Sequence, residues 1–150
     1  MNVDRVAILV KRAALEFDKL ANPVLNEYDL TVSQYKILKY LYAQPSRTAR
    51  TVDIERQYSM THPTAIGLLD NLEKKGFVCR MPNPDDARSR LIALTGKADA
   101  MEAGLLELGD RLERQLTARL TARETEQLIR LLKKLMGVPD VQESMETAKE

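Results

Sequence analysis

Apolar residues near the N-terminus follow the spacing of one face of a helix. They fall three or four positions apart, at Val3, Val6, Val10, Ala13, Phe17 and Leu20. This is an a/d seam, and such a seam needs a partner helix to cover it. Asn22-Pro23 then predicts an end or a kink, because proline removes a backbone donor. Alternatively, Asn22 caps a short new helix with Pro23 at its first position.

Three further helices are predicted in the stretch that follows. They cover residues 32–43, 52–58 and 62–75. Thr31, Thr51 and Thr61 each stand at the start of one of them, where a hydroxyl can accept a hydrogen bond from an unpaired backbone N–H. Thr31 also forms a capping-box pattern with Gln34. Gly76 follows the last of the three and supplies a left-handed stop.

The second half predicts a hairpin and two long helices. Residues 77–80 and 91–94 are short strand candidates, and the ten residues between them are many for a hairpin loop. Thr95 can cap a helix from residue 96 to about residue 120. Thr121 opens a last helix with a capping box, and that helix runs to residue 136 before Gly137. The stripe on the first of these helices is Met101, Leu105, Leu108, Leu112 and Leu116.

A short helix, a tight turn, a capped helix and a β-hairpin in succession describe a winged helix-turn-helix. The predicted fold class is therefore mainly α with a small β-hairpin wing (α+β), flanked by dimerisation helices. We assign residues 31–97 to a DNA-binding domain, residues 1–30 and 98–137 to a helical dimerisation region, and residues 138–150 to a polar tail.

Composition and charge support this assignment. Apolar residues make up 44% of the chain and charged residues 30%, which is typical of a globular protein with a core. The net charge of +1 hides an asymmetry: residues 31–97 hold eleven Lys/Arg against six Asp/Glu, whereas both flanks are net acidic. A basic middle favours a polyanionic partner.

The same composition leads us to expect a cytoplasmic protein. No apolar run approaches the roughly 18 residues of a membrane span, and the N-terminus lacks the pattern of a signal peptide. Cys79 is the only cysteine, so no intrachain disulfide can form.

Two segments resemble the MarR family of bacterial regulators. One is Leu69-Asp70-Asn71-Leu72-Glu73-Lys74-Lys75-Gly76-Phe77-Val78, and the other is Pro84-Asp85-Asp86-Ala87-Arg88 followed by Leu94-Thr95. The resemblance implies a homodimer, built through the N- and C-terminal helices, that reads double-stranded palindromic DNA with the fourth helix and the wing arginine. The predicted DNA-binding residues are Thr61, His62, Pro63, Thr64, Ile66, Gly67, Arg88 and Arg90.

Three positions depart from the family pattern. Glu55 stands where a small alanine is usual, Ser59 where a glycine makes the turn, and Gly67 where a polar or basic reader is common. These departures affect the expected DNA sequence preference more than DNA binding itself. In the wing, we expect Arg88 to contact DNA, whereas Arg90 can either contact DNA or pair with Asp85 or Asp86.

The resemblance also implies a pocket for a small aromatic effector. Its candidate lining is Tyr28, Tyr35, Tyr40 and Tyr42, although ordinary core packing is the interpretation we favour. Cys79 is open to two interpretations, a redox sensor or a packing residue, and we favour packing. Gly104 and Gly109 weaken their helix, which a close helix crossing or a flexible joint would explain.

Other functions fit the sequence less well. His62 is the single histidine and has no partner at metal-ligand spacing, so we expect no metal and no cofactor. The sequence has no phosphate loop and no nucleophile elbow, which speaks against an enzyme. A winged-helix module that binds protein rather than DNA remains the alternative.

Overall fold

The computed structural model describes residues 5–139, and its elements follow the predicted order. They are α1 (Val6–Asn26), α2 (Val32–Ala43), β1 (Thr48–Arg50), α3 (Thr51–Tyr58), α4 (His62–Lys74), β2 (Val78–Pro82), β3 (Arg90–Leu94), α5 (Gly96–Leu116) and α6 (Ala122–Met136). Val3 of the predicted seam and residues 140–150 of the predicted tail lie outside the described residues. The chain divides into two compact units between Leu112 and Glu113.

The first unit has its core around α2. Ile37, Leu38 and Leu41 of this helix are completely buried. The hydroxyls of two buried tyrosines tie it to α5, because Tyr35 donates to the Leu105 carbonyl and Tyr42 donates to the Ala98 carbonyl. The capping box predicted for α2 is confirmed, with the Thr31 side chain accepting from the Gln34 backbone.

The sheet has three antiparallel strands in the order β1-β3-β2. Strand β1 was not predicted, because three residues are too few to show an alternating pattern. It pairs with β3 in a register that places Ala49, which is buried, opposite Ile92. The loop between β2 and β3 covers residues 83–89 and is shorter than the predicted ten residues, since β2 extends to Pro82.

Helix α1 corrects the prediction of an end or a new helix at Asn22-Pro23. The helix continues through Pro23 to Asn26. Ala21 and Leu25, on either side of the proline, are completely buried. Their packing therefore outweighs the roughly 3 kcal/mol that a proline costs inside a helix.

Two other boundaries also differ from the prediction. Helix α3 begins at Thr51, so the residue before it is Arg50 and the predicted Thr51 cap is wrong. Helix α5 ends at Leu116 rather than near residue 120, and Leu116 is exposed instead of completing the buried stripe. A turn follows, in which the Leu120 amide donates to the Thr117 carbonyl.

Several helices carry apolar side chains that the single chain leaves exposed. On α1 they include Val6, Ile8, Leu9, Val10 and Leu15. Helix α6, in the second unit, buries none of its residues, and its exposed apolar side chains are Leu128, Ile129, Leu131, Leu132, Leu135 and Met136. The predicted capping box of Thr121 and Glu124 and the stop at Gly137 are both confirmed.

Candidate nucleic-acid interface

The turn before α4 is held in a geometry that glycine usually provides. Ser59 adopts φ 51° and ψ 43°, which is the left-handed region. The Met60 amide donates to the Glu55 carbonyl at 2.9 Å and closes the turn. Serine therefore fills the position at some conformational cost, and α4 still begins directly after the turn.

The first turn of α4 is exposed and is capped by Thr61. The Thr61 hydroxyl accepts from the Thr64 backbone at 3.4 Å and lies 2.9 Å from the Thr64 hydroxyl. Pro63 sits in the first turn, where its missing N–H costs nothing. The remaining N–H groups and the positive end of the helix dipole favour an anion at this end.

The predicted readers on α4 lie together on one surface. Thr61, His62, Pro63, Thr64 and Gly67 are exposed, and Ile66 is half-buried. The opposite side of the helix holds it in the core through Ala65, Leu69 and Leu72, which are completely buried. An added Cβ at Gly67 would meet nothing within 4 Å, so this position leaves open space on the exposed face.

Helix α3 begins with an ion pair that sequence reasoning missed. The Asp53 carboxylate accepts from the Arg50 backbone at 3.2 Å and from its guanidinium at 2.9 Å. The hydrogen bond from Arg50 lowers the pKa of Asp53, and the same bond raises the pKa of Arg50. The sequence signal was an acidic residue in the first turn of the predicted helix, three positions after a basic residue.

His62 and Glu55 face each other across the turn. The His62 Nδ1 lies 3.4 Å from the Glu55 Oε2. The two side chains differ in exposure, with 66% for His62 and 18% for Glu55. The imidazole therefore reaches outwards while the carboxylate stands behind it.

The wing loop is ordered by short side-chain bonds. The Asn83 side chain is buried, accepts from the Asp85 amide at 3.0 Å and donates to the Ser89 hydroxyl at 2.9 Å. The Arg88 amide donates to the Asp86 carboxylate at 3.0 Å, and the Arg88 side chain is exposed. The loop therefore presents its arginine from a defined backbone.

Arg90 does not form the ion pair with Asp85 or Asp86 that was the alternative to a DNA contact. Within residues 5–139 its guanidinium forms no ion pair with Asp85 or Asp86. It stands at the start of β3 and lines an open cleft of about 640 Å³ between the wing and helices α3 and α4. The lining residues are Arg50, Thr51, Val52, Glu55, His62, Asp86, Ser89 and Arg90. Arg90 thus belongs to the same surface as His62.

Arg80 is occupied by acids of α4. Its guanidinium contacts Asp70 at 2.7 Å and Glu73 at 3.1 Å, and the hydrogen bond to Asp70 raises the pKa of Arg80. The two ion pairs link β2 to α4.

Cys79, the residue before Arg80, is exposed, so the interpretation of this cysteine as a packing residue is wrong.

The four predicted pocket tyrosines have different surroundings. Tyr35 and Tyr42 are buried with their hydroxyls bonded to α5, and burial raises the pKa of Tyr42 to about 12. Tyr28 and Tyr40 are half-buried, and the Tyr40 ring packs edge-on against Tyr58 at 6.3 Å. The effector pocket stays a prediction.

In residues 5–139 no three His, Cys, Asp or Glu side chains are grouped so that they could hold a metal ion. The same part of the chain contains no helix that is long and apolar enough to cross a membrane.

Comparison with known proteins points to one family. Residues 30–89 match the profile of the MarR family. The chain is 36% identical over 120 residues to the multiple antibiotic resistance protein MarR of Escherichia coli strain K12, a match that covers 79% of this chain and 82% of that protein. It is 27% identical over 134 residues to the homoprotocatechuate degradative operon repressor of Escherichia coli, covering 89% of this chain and 87% of that protein.

The fold is similar to that of a protein whose structure was solved in complex with DNA. The crystal structure of a mutant MarR from Escherichia coli with operator DNA superposes with a TM-score of 0.79 at 31% identity. The match covers 87% of this chain and 92% of that chain. The winged helix-turn-helix predicted from the order of elements is thereby confirmed.

Proposed function

This chain belongs to the MarR family, and from that premise we propose that it acts as a homodimer whose two copies of α4 and the wing read a palindromic operator. As a member of the family, the protein is a DNA-binding transcription regulator. The observation that carries the proposal is the exposed first turn of α4, which stands beside the wing on one continuous surface.

The dimensions of α4 suit the major groove. Its 13 residues make a rod about 20 Å long and about 10–12 Å across, and the groove is about 12 Å wide. The exposed end carries His62, Pro63 and Ile66, and the buried stripe leaves this end free to enter the groove. Ile66 is suited to contact a thymine methyl group.

Two arginines of the wing are available to contact DNA. Arg88 and Arg90 are exposed and make no ion pair within residues 5–139. By contrast, Arg50 and Arg80 are paired with carboxylates. We assign the two wing arginines to phosphates or to the minor groove, because unpaired arginines bind both.

Dimerisation is the role we assign to residues 1–30 and 98–137. The exposed apolar side chains of α1 and of α6 support this assignment, because the single chain does not bury them. Residues 31–97 form the DNA-binding part. A protein bound to operator DNA acts in the cytoplasm, and we place this protein there.

Repression is the regulatory direction we propose, since a relative carries the name of an operon repressor.

A small aromatic effector is also part of the proposal. The name of that relative refers to the degradation of an aromatic acid, which supports such an effector. Of the four predicted pocket residues, Tyr28 and Tyr40 are half-buried, and their hydroxyls do not donate to backbone carbonyls of α5 as those of the other two do. These two are therefore the candidates for contact with an effector.

The reading role of α4 can be tested at Ile66. We expect Ile66→Ala to lower the affinity for an operator taken from upstream of the protein's own gene by about 10-fold, through lost contacts to one or two thymine methyl groups. Affinity for random DNA should change much less. Equal losses on both DNAs, or no loss on either, would place the reader elsewhere.

A further inference from the structure

The contact between Glu55 and His62 bears on which nitrogen of the imidazole ring carries the hydrogen. A carboxylate oxygen only accepts hydrogen bonds, so the contact at 3.4 Å favours the ring form that carries its hydrogen on Nδ1 of His62. A neutral imidazole has one N–H, and the nitrogen that carries it is set by the bond that the other nitrogen makes. With Nδ1 protonated, Nε2 is left with a lone pair.

Nε2, the other ring nitrogen of His62, is not held by the described part of the protein. It makes no hydrogen bond to any residue between 5 and 139, and the His62 side chain is 66% exposed. His62 is also the first residue of α4, the end that enters the groove in the proposed complex. The atom offered to DNA is therefore an acceptor.

Both sides of the contact are held in place. The Glu55 carbonyl accepts from Met60 across the left-handed turn at Ser59, which sets the distance between α3 and α4. The Glu55 side chain is 18% exposed, so it stands behind the imidazole instead of reaching for DNA itself. The capped start of α4 at Thr61 fixes the backbone of His62.

We propose that Glu55 is a specificity-determining positioning residue, which holds His62 in the Nδ1–H tautomer so that Nε2 accepts a hydrogen bond from the exocyclic amino group of adenine or cytosine. In the major groove these amines are donors, whereas guanine presents two acceptors that would repel the lone pair. The reading step rests on the proposed function, while the tautomer is a property of the free protein.

The charge of Glu55 needs its own control. A carboxylate near DNA lowers affinity for every sequence, so its removal changes binding even if it does not touch His62. Asp86 lines the same cleft and is not bonded to His62. Asp86→Asn removes the same charge from that cleft and keeps an oxygen that can accept from the Arg88 amide. It is therefore the matched control.

The tautomer is measured by long-range ¹H–¹⁵N correlation spectra of the free full-length protein at pH 8.5. His62 is the only histidine in the chain, so its ring signals need no separate assignment. We expect the Nδ1–H pattern in the wild type and in Asp86→Asn, and loss of that pattern in Glu55→Ala. An Nε2–H pattern or an imidazolium in the wild type, or an unchanged spectrum in Glu55→Ala, would overturn the proposal.

Base preference is measured with operators that carry each of the four base pairs in turn at the position of the half-site that His62 contacts. We expect the wild type and Asp86→Asn to favour an amine-bearing base over guanine by about 3- to 10-fold, the effect of one hydrogen bond. Glu55→Ala and His62→Ala should both lose this preference, and the double variant should lose no more than His62→Ala alone.

A guanine preference in the wild type, or a preference that survives Glu55→Ala, overturns the reading step. Failure to bind any DNA specifically overturns the proposed function and the reading step together. In that event the spectra still decide whether Glu55 sets the tautomer, so the two failures are distinguishable.

Discussion

Gly109 lies directly against the hydroxyl of Tyr35. A Cβ at Gly109 would collide with the Tyr35 hydroxyl oxygen. That hydroxyl donates at 3.0 Å to the carbonyl of Leu105, one turn earlier on α5. Lys39 also approaches the same point. The absence of a side chain at residue 109 is what lets α2 cross α5 closely enough for this buried hydrogen bond.

Gly109→Ala should therefore destabilise the protein, although alanine is the better helix former. We expect a loss of about 1–3 kcal/mol in the free energy of unfolding, from overpacking and from a displaced buried hydroxyl. Gly104→Ala is the matched control on the same helix, because an added Cβ there meets nothing within 4 Å. It should gain about 0.5–1 kcal/mol. Urea unfolding of both variants checks this, and a stabilised Gly109→Ala would contradict the close crossing.

The helices and their caps could be predicted from the sequence for a physical reason. Caps and hydrophobic stripes are local, and the boxes at Thr31 and Thr121 could be recognised from residues three positions apart. The close crossing at Gly109 was one of two explanations for a glycine inside a helix. Only the position of Tyr35, 74 positions earlier in the chain, decides between them.

What the sequence could not show depends on contacts between distant residues. Strand β1 exists because β3 supplies its partners. Pro23 is tolerated because Ala21 and Leu25 beside it are buried by the rest of the core. In the site, the exposed residues of α4 were predictable from its stripe, whereas the free guanidinium of Arg90 depended on where the wing carboxylates point.

The wing is tested by its salt dependence. Arg88→Ala should weaken binding to operator and random DNA alike, and the slope of log affinity against log salt should fall by about two for the dimer, one per phosphate contact in each subunit. Arg90→Ala should act in the same way, because this side chain is exposed and forms no ion pair in the described structure. Fluorescence anisotropy titrations at several salt concentrations measure the slopes. Unchanged slopes in both variants would remove the wing from the interface.

The start of α3 should give stability that depends on pH. The hydrogen bond from Arg50 lowers the pKa of Asp53 below its ordinary 3.8, so the carboxylate stabilises the fold above that value and its contribution disappears as the pH falls below it. Asp53→Asn should cost about 0.5–1 kcal/mol at pH 7, as lost helix caps do. The difference from the wild type should shrink towards pH 3. A difference that is the same at pH 7 and pH 3 would show that the charge on Asp53 contributes nothing.

Dimerisation is tested on the exposed apolar face of α6. Leu128 and Leu135 lie seven positions apart on one side of the helix and are exposed in the single chain. Replacing both by lysine should shift the protein from dimer to monomer in sedimentation experiments at micromolar concentration, since charged side chains would have to be buried in the interface. Glu126→Lys, on another side of the same helix, should leave the dimer intact. A wild-type protein that sediments as a folded monomer would contradict the assignment.

The central claim, that two copies of α4 and the wing read a palindrome, is tested most directly by footprinting the full-length protein on the DNA upstream of its own gene. We expect protection with two-fold symmetry, two half-sites about one helical turn or 34 Å apart, and two chains bound per duplex. Footprints without two-fold symmetry, or one chain per duplex with no preference over random DNA, would contradict it.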